Sequence, residues 1–358
     1  MTELTEMVLR FITEKNKFSD ENLKSIVESK HGSIEMHKLR NLIEALRANK
    51  IKASYTKDSN EIKLRTGKID GCLKIISGSS GKLDKLIIKP YVPEIRSIDS
   101  LIASLSLLGG FVDVSGIYDG ISIDKNNGQK PMAVASLVKI IISAALCNEI
   151  RKENISLDYK YTIQEEDISY LSTGLTLKDI GKEVSIKELL SLILLASDNS
   201  AMDIVIKLIG ISKIDKYVAN FDLENKYRFS PEIKLTKILY GEAWGIKDLD
   251  HYNPKEYVDS VKWNLGFDYF APLGLINKIS LDLNKFEWLP WDELQTEKTT
   301  IYKGGSAPGV LSAMWCTRKN ETARVLSFAI NRTEPYTILE ELYAYECARE
   351  ILLKFKIL

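Results

Sequence analysis

The chain has 358 residues, of which 45% are hydrophobic and 27% are charged, values that are ordinary for a globular protein with room for two domains. Lysine plus arginine and aspartate plus glutamate both number 49, so the formal net charge is zero and predicts no general attraction to nucleic acid or anionic membranes. The four cysteines are scattered without paired spacing, which argues against a disulfide framework and a structural zinc site.

The N-terminal segment is charged throughout, which is not typical of a secretory signal. No apolar run reaches the roughly 18 residues that a membrane-spanning helix needs. We therefore expect a cytoplasmic protein without a membrane span.

Residues 1–67 are predicted to form a separate small module. Apolar residues between positions 4 and 11 repeat at helical spacing, and Ser19 and Ser33 each precede a further helical pattern. Two strand-like runs, IKASYT and EIKLRT, then predict a hairpin. Three helices and a hairpin resemble a winged helix. Its third helix is predicted to bind DNA or a protein partner, because it carries five basic side chains: His37, Lys38, Arg40, Arg47 and Lys50.

Residues 68–96 are predicted to be a transition segment that contains a hairpin. Its turn, GSSGK at 78–82, is superficially similar to a phosphate-binding loop, but the spacing differs and no helix start follows. Residues 97–358 then predict an α+β domain, in which an antiparallel sheet is flanked by helices and joined to a mostly helical subdomain.

The run from Ser136 to Ile150 is almost uniformly apolar, which predicts a helix buried on nearly all sides. Ser136 would lie in its first turn, where free N–H groups and the helix dipole favour negative charge. Lys139 would lie one turn further on the same face. Burial disfavours the charged form of an amine, so Lys139 could serve as a base toward Ser136. The alternative is a helix cap serine beside a lysine that reaches to solvent.

Two later motifs favour the first interpretation. Ser197-Asp198-Asn199 follows a second very apolar helix, and Lys303-Gly304-Gly305-Ser306 follows a strand-like run. The ordered set resembles the S-x-x-K, S-D-N and K-T-G motifs of serine β-lactamases and penicillin-binding proteins. The stretch 172–174 and the residues around it are similar to the class A-related members. The resemblance extends from about Gly109 to the C-terminus.

This resemblance implies a role for each matched residue. Ser136 would be the nucleophile and Lys139 its base, while Ser197 and Lys303 would relay a proton to the leaving group. The resemblance also implies four binding residues. The Asn199 amide would contact the substrate, and Gly305 would leave room for it. Ser306 N–H would bind the oxyanion, and the Tyr170 ring would lie at the mouth of the cleft. Asp198 would be structural and accept backbone N–H groups. The family chemistry needs no metal and no cofactor, and its substrates are small molecules or peptides.

The sequence departs from the class A pattern at several positions. Ser230 stands where the deacylating glutamate is expected and Lys234 where its partner asparagine is expected, with Glu232 as a nearby substitute. Gly304 replaces the threonine of the third motif, so a hydroxyl contact to a substrate carboxylate is lost; Ser306 and Ser312 are candidates to replace it. We therefore expect slow β-lactam turnover, or hydrolysis of a peptide, amide or ester.

Three other functions remain open at this point. The chain could be a ligand-sensing or DNA-binding regulator with an acylatable domain, or an interaction protein on a scaffold that has lost its activity. A Ser-His-Asp triad would need His251, and no nucleophile-elbow motif accompanies that histidine.

Overall fold

The computed structural model describes most of the chain: residues 2–14, 18–28, 32–48, 51–55, 60–125, 130–169, 172–222, 227, 229, 260–293, 300–318 and 323–358. The chain divides into two compact units. One comprises Met1–Gly109 with Tyr336–Ile351, and the other comprises Gly110–Pro335 with Leu352–Leu358.

The first unit contains four helices from the N-terminal part of the chain: α1 (Thr2–Thr13), α2 (Asp20–Ile26), α3 (Ser33–Ala48) and α4 (Ile98–Ser106). Ser19 caps α2 by accepting a hydrogen bond from Asn22 N at 3.2 Å, and Ser97 caps α4 in the same way through Ser100 N. Local side-chain chemistry therefore starts these two helices.

A four-stranded antiparallel sheet completes this unit, with strand order β1-β2-β3-β4. Its strands are β1 (Lys52–Tyr55), β2 (Glu61–Arg65), β3 (Asp70–Ser77) and β4 (Leu83–Pro90). The hairpin predicted for the transition segment is β3 and β4, and it extends the sheet that the preceding hairpin begins. In its turn, Ser80 donates hydrogen bonds from Oγ and N to the Glu28 carboxylate, at 2.7 and 3.2 Å. A carboxylate in that position opposes phosphate binding by the turn.

Two arginines of α3 make contacts within the unit. Arg40 forms ion pairs with Asp20 at 2.8 Å and Glu44 at 3.0 Å, and the Arg47 guanidinium lies 5.4 Å from the Phe18 ring centroid. These contacts reduce the positive charge that α3 presents for phosphate contacts. Lys50 lies outside the described residues. DNA or protein binding by this module stays a prediction.

The second unit is built around a five-stranded antiparallel sheet with strand order β11-β12-β13-β5-β6. Its strands are β5 (Phe111–Tyr118), β6 (Ile121–Lys125), β11 (Thr300–Ala307), β12 (Val310–Thr317) and β13 (Val325–Asn331). Four shorter strands form two separate pairs: β7 (Met132–Ala133) with β10 (Phe270–Ala271), and β8 (Lys160–Thr162) with β9 (Glu183–Ser185). In β12 every residue is buried, so this strand has no solvent-facing side.

The helices of this unit surround α5 (Lys139–Arg151), the apolar helix noted in the sequence. Within the described residues of the unit, these helices are α6 (Ile186–Leu194), α7 (Asn199–Ile209), α8 (Ile211–Val218) and α9 (Leu273–Leu283). Residues 139–147 of α5 are all buried, and α6 to α9 all pack against the helix. Helix α9 also packs on β5 and β13. The predicted α+β architecture, with helices on an antiparallel sheet and a helical subdomain, is confirmed.

The last helix, α10 (Ile338–Lys354), runs from the segment that clusters with the first unit into the C-terminal segment of the second. Among the described helices, none has both the length and the apolarity to cross a membrane. All four cysteines, Cys72, Cys147, Cys316 and Cys347, are free and buried.

Candidate active site

Ser136 lies in a tight 3₁₀ turn, Ala135–Val138, that leads directly into α5. The sequence predicted it in the first α-helical turn; the α-helix instead begins at Lys139, three residues later. Ala135, immediately before the serine, has a left-handed φ of 46°, which is unusual for a residue with a Cβ. The serine therefore follows a sharp, conformationally demanding bend.

The Lys139 side chain is fully buried, and its Nζ lies 3.0 Å from Ser136 Oγ. The same nitrogen donates hydrogen bonds of 2.6 Å to Asn199 Oδ1 and 2.6 Å to the Ser197 carbonyl, and it lies 3.3 Å from Ser197 Oγ. The amine is thus held between the first two predicted motifs by polar groups on several sides.

Lys303 brings the third motif to the same place. It lies on β11, is almost fully buried, and its Nζ donates hydrogen bonds to Ser197 Oγ at 2.9 Å and to the Gly304 carbonyl at 2.7 Å. A chain of three hydrogen bonds, none longer than 3.3 Å, therefore joins Ser136 to Lys303 through Lys139 and Ser197.

Burial changes the protonation of both lysines. The pKa of Lys139 is lowered to about 7, mainly by burial and in part by the Lys303 charge, while the Asp198 and Asp203 carboxylates oppose the change. Burial also lowers the pKa of Lys303 to about 8. A lysine with a pKa near 7 is substantially neutral at physiological pH and can accept a proton.

Gly305 allows the β11 backbone to approach the serine turn. A Cβ at this position would lie 2.3 Å from the Val134 carbonyl oxygen and 2.8 Å from Leu137 N, so only glycine fits. Ser306 follows in the strand and is exposed. Among the described residues, we find no hydrogen-bond acceptor for the Ser136 N–H. This N–H remains able to bind an oxyanion.

Asp198 fixes the Ser-Asp-Asn turn and is fully buried. Its Oδ1 caps α7 through Ala201 N at 2.7 Å. Its Oδ2 accepts four hydrogen bonds of 2.5–3.1 Å from one loop, donated by Ser172 Oγ, Thr173 N, Gly174 N and Leu175 N. The structural role predicted for this carboxylate is confirmed. It leaves Ser197, with a left-handed φ of 58°, facing the two lysines.

The part of the chain that holds two of the three motifs is similar to known proteins. Residues 119–248, which hold Ser136, Lys139, Ser197 and Asn199, match the model of the Beta-lactamase enzyme family. A β-lactamase of Phocaeicola vulgatus is 26% identical over 125 residues, which are 34% of this chain and 39% of that protein. The chain thus spans well under half the length of this curated relative.

Solved structures of β-lactamases share the fold. The β-lactamase of Sphaerobacter thermophilus is 18% identical, with a TM-score of 0.52 over 73% of this chain and 97% of that one. A variant of the last common ancestor of Gram-negative bacteria class A β-lactamase is 14% identical, with a TM-score of 0.54 over 72% of this chain and 96% of that one. The chain is therefore similar to the Beta-lactamase enzyme family over residues 119–248, and it shares the fold of the solved β-lactamases.

Some residues predicted to form the site lie elsewhere or outside the described residues. Ser312, a candidate for contact with a substrate carboxylate, is fully buried on β12 and donates its hydroxyl to the Val134 carbonyl at 2.7 Å. That candidate role is wrong, because the hydroxyl faces the serine turn and not solvent. Five residues discussed above lie outside the described residues: Tyr170, Ser230, Glu232, Lys234 and His251.

Sequence reasoning missed two polar side chains that hold the serine turn of this β-lactamase-like domain. Asn331, at the end of β13, donates Nδ2 to the Ala133 carbonyl and accepts from Ala133 N, both at 2.9 Å. Asp268 accepts hydrogen bonds on Oδ1 from Ala135 N at 2.9 Å and Tyr269 N at 2.6 Å. Neither residue belongs to a motif, and each is more than one hundred residues from its partner in the turn.

Proposed function

We propose that the chain is a serine hydrolase that forms an acyl-enzyme at Ser136 and cleaves an amide, peptide or ester bond of a small-molecule or peptide substrate. The observation that carries this proposal is the hydrogen-bonded chain from Ser136 through Lys139 and Ser197 to Lys303. In this chain the Ser136 nucleophile contacts the Lys139 amine, whose lowered pKa favours the neutral form. Ser197 then connects Lys139 to the position of the leaving group, so a proton can be transferred there.

In the proposed reaction, the neutral Lys139 amine accepts the Ser136 proton while Oγ bonds to the substrate carbonyl carbon. The N–H groups of Ser136 and Ser306 bind the resulting oxyanion, and one such donor contributes roughly 3–4 kcal/mol in hydrolases where it has been removed. When the intermediate collapses, the bond to the leaving group breaks. The leaving group takes a proton from the Ser197 hydroxyl, which Lys139 reprotonates.

Deacylation would reuse the same groups. Water attacks the acyl carbonyl and passes a proton to Lys139, which then protonates Ser136 Oγ as the acid is released. The Lys303 charge, 2.9 Å from Ser197 Oγ, favours movement of a proton away from that hydroxyl and attracts an anionic group of the substrate. Asn199 holds Lys139 in place through its 2.6 Å hydrogen bond and offers its amide to the substrate.

A fluorophosphonate and a fluorescent penicillin, each followed by intact-protein mass spectrometry, test the acylation step. We expect one label per chain on the wild type and none on Ser136→Ala. Ser143→Ala is a matched control on α5, since its buried hydroxyl has no hydrogen-bond partner in the described residues and its loss leaves labelling intact. Failure of the folded wild type to react with either probe would overturn the proposal.

A second candidate function is a ligand-sensing regulator that stays acylated. It is favoured by the serine at position 230, where the deacylating glutamate of class A enzymes is expected. The two functions differ in the lifetime of the label. Release of the penicillin label on the time scale of catalytic turnover supports the hydrolase, whereas a label that persists for hours supports the regulator.

A further inference from the structure

The turn that carries Ser136 is held in a conformation that its own residues do not favour. Ala135 has φ 46°, where the Cβ of an L-residue crowds the backbone. Strained residues of this kind persist where contacts from the surrounding structure hold them, and they concentrate at functional sites. Ala135 directly precedes the proposed nucleophile, so its φ and ψ together orient the peptide plane that carries the Ser136 N–H.

One neighbouring segment supplies contacts that hold this bend. Strand β10 pairs with β7 in the register Phe270 with Ala133, and Val134 N donates to the Tyr269 carbonyl at 2.8 Å. The backbone pairing stops there. At the next residue, Ala135 N donates instead to a side chain, Asp268 Oδ1, at 2.9 Å.

The Asp268 carboxyl is well placed to hold that N–H. Its position is fixed by the hydrogen bond from Tyr269 N to the same oxygen, at 2.6 Å. Burial raises the pKa of Asp268 to about 7, against the two N–H hydrogen bonds, which lower it. Both the ionised and the protonated carboxyl keep an oxygen that accepts the Ala135 N–H. The contact therefore depends on an acceptor oxygen at this point, which an asparagine would also supply.

We propose that Asp268 is a positioning residue for acylation, whose side-chain oxygen holds Ala135 in the left-handed conformation and thereby aims Ser136 and its N–H at the substrate carbonyl. The proposal rests on the hydrolase function proposed above. It assigns Asp268 no contact with the substrate, since its effect passes through Ala135.

The test is a double-mutant cycle between the side-chain acceptor and the strained residue. The variants are Asp268→Ala, Ala135→Gly and their combination, with Asp268→Asn as the conservative variant. The acylation rate constant of the fluorophosphonate, its non-covalent affinity and the unfolding midpoint are measured for each. Asp222→Ala is the control, because Asp222 also accepts a backbone N–H, from Tyr227 at 2.6 Å, but outside the serine turn.

We expect Asp268→Ala to lower the acylation rate constant about tenfold, equivalent to about 1.4 kcal/mol, with little change in affinity. Asp268→Asn should acylate at close to the wild-type rate. Glycine adopts φ near 50° without a Cβ clash, so Ala135→Gly should restore most of the rate lost in Asp268→Ala. That rescue is the result that a merely structural role for Asp268 would not give.

Two results would overturn the proposal: a wild-type acylation rate in Asp268→Ala, or a reduced rate that Ala135→Gly leaves unchanged. A wild type that reacts with no probe defeats the hydrolase function instead. In that case the double-mutant cycle is evaluated on the unfolding free energies of the wild type, the two single variants and the double variant. Additive effects there would show that Asp268 does not hold Ala135.

Discussion

The Lys303 ammonium donates a 2.9 Å hydrogen bond to the Ser197 hydroxyl. The same hydroxyl lies 3.3 Å from Lys139 Nζ, so one serine connects two lysines whose side chains come from a helix and from a strand. This arrangement is consistent with the proton-transfer role proposed for Ser197. That role can be tested separately from folding, because the left-handed backbone of Ser197 is unfavourable for serine.

Ser197→Gly removes the hydroxyl and is expected to lower the acylation rate by about 100-fold or more, the usual effect of losing a proton-transfer group. Stability should be nearly unchanged. Glycine relieves a left-handed φ of 58° that costs an L-residue about 1–2 kcal/mol, and this gain offsets the loss of the hydroxyl's contacts with the two lysines. Stopped-flow labelling and thermal unfolding measure the two effects. Glu153→Gly is the matched control: Glu153 has φ 59° on an exposed turn, so the substitution should spare activity. Undiminished acylation by Ser197→Gly would contradict the relay.

The pH dependence of acylation should be bell-shaped. Lys139 must be neutral to accept the Ser136 proton, so the rate rises as the pH passes about 7, the pKa of Lys139. Lys303 acts as a cation, so the rate falls as the pH passes about 8, the pKa of Lys303. Lys303→Arg keeps the charge at all accessible pH values and should remove the alkaline limb while leaving the acid limb.

The control for this profile is Lys160→Arg, which changes an exposed lysine of β8 and should leave both limbs in place. Rates measured from pH 5 to 10 at constant ionic strength decide the question. A Lys303→Arg profile that still falls above about pH 8 would assign the alkaline limb to another group.

Burial of Lys139 should also make stability depend on pH. Its pKa is lowered from 10.5 to about 7, so between these values the unfolded chain binds more protons than the folded one. The free energy of unfolding contributed by Lys139 therefore rises with pH across this window, by up to about 1.4 kcal/mol per pH unit, and is least favourable below pH 7. Urea unfolding at several pH values should show the wild type gaining stability relative to Lys139→Met. A constant difference from pH 7 to 10 would contradict a lowered pKa.

Gly305→Ala should disrupt the site through the backbone. The added Cβ would lie 2.3 Å from the Val134 carbonyl oxygen, so β11 and the serine turn must separate. We expect a loss of about 1–3 kcal/mol in stability, as for other overpacked sites, and a much larger proportional loss of acylation. Gly67→Ala is the matched control, since its Cβ would have no atom within 4 Å. Equal activity of the two variants would exclude close strand approach as a requirement.

The sequence was informative where the chemistry is local or belongs to a motif. Lys139 could be placed beside Ser136 because three residues of helical backbone bring the two side chains to one face. Asp198 could be assigned a structural role because it precedes a helix whose first N–H groups need an acceptor, although four of its five hydrogen bonds come from the distant loop 172–175. The Ser19 cap depends on a residue three positions away, and a window of that size suffices to find it, whereas Ser33, also predicted as a cap, is the first residue of α3.

Other contacts could not be predicted because they join distant segments without a spacing signal. Asp268 is an isolated aspartate in an aromatic-rich stretch, and only the β7–β10 pairing brings it to Ala135. Ser312 was a candidate for contact with a substrate carboxylate because it directly follows the SAPGVL run of the third motif. Strand β12 is buried on both faces, so its hydroxyl instead supports the serine turn.

The burial of all four native cysteines makes a thiol reporter feasible without altering the rest of the chain. Ser136→Cys would introduce a single accessible thiol. The pH dependence of its alkylation rate gives the pKa of that thiol, which reports the electrostatic environment at the nucleophile position. Lys139 and Lys303 should stabilise the thiolate, so iodoacetamide would react with this cysteine well below pH 8, while the native thiols remain protected by the fold.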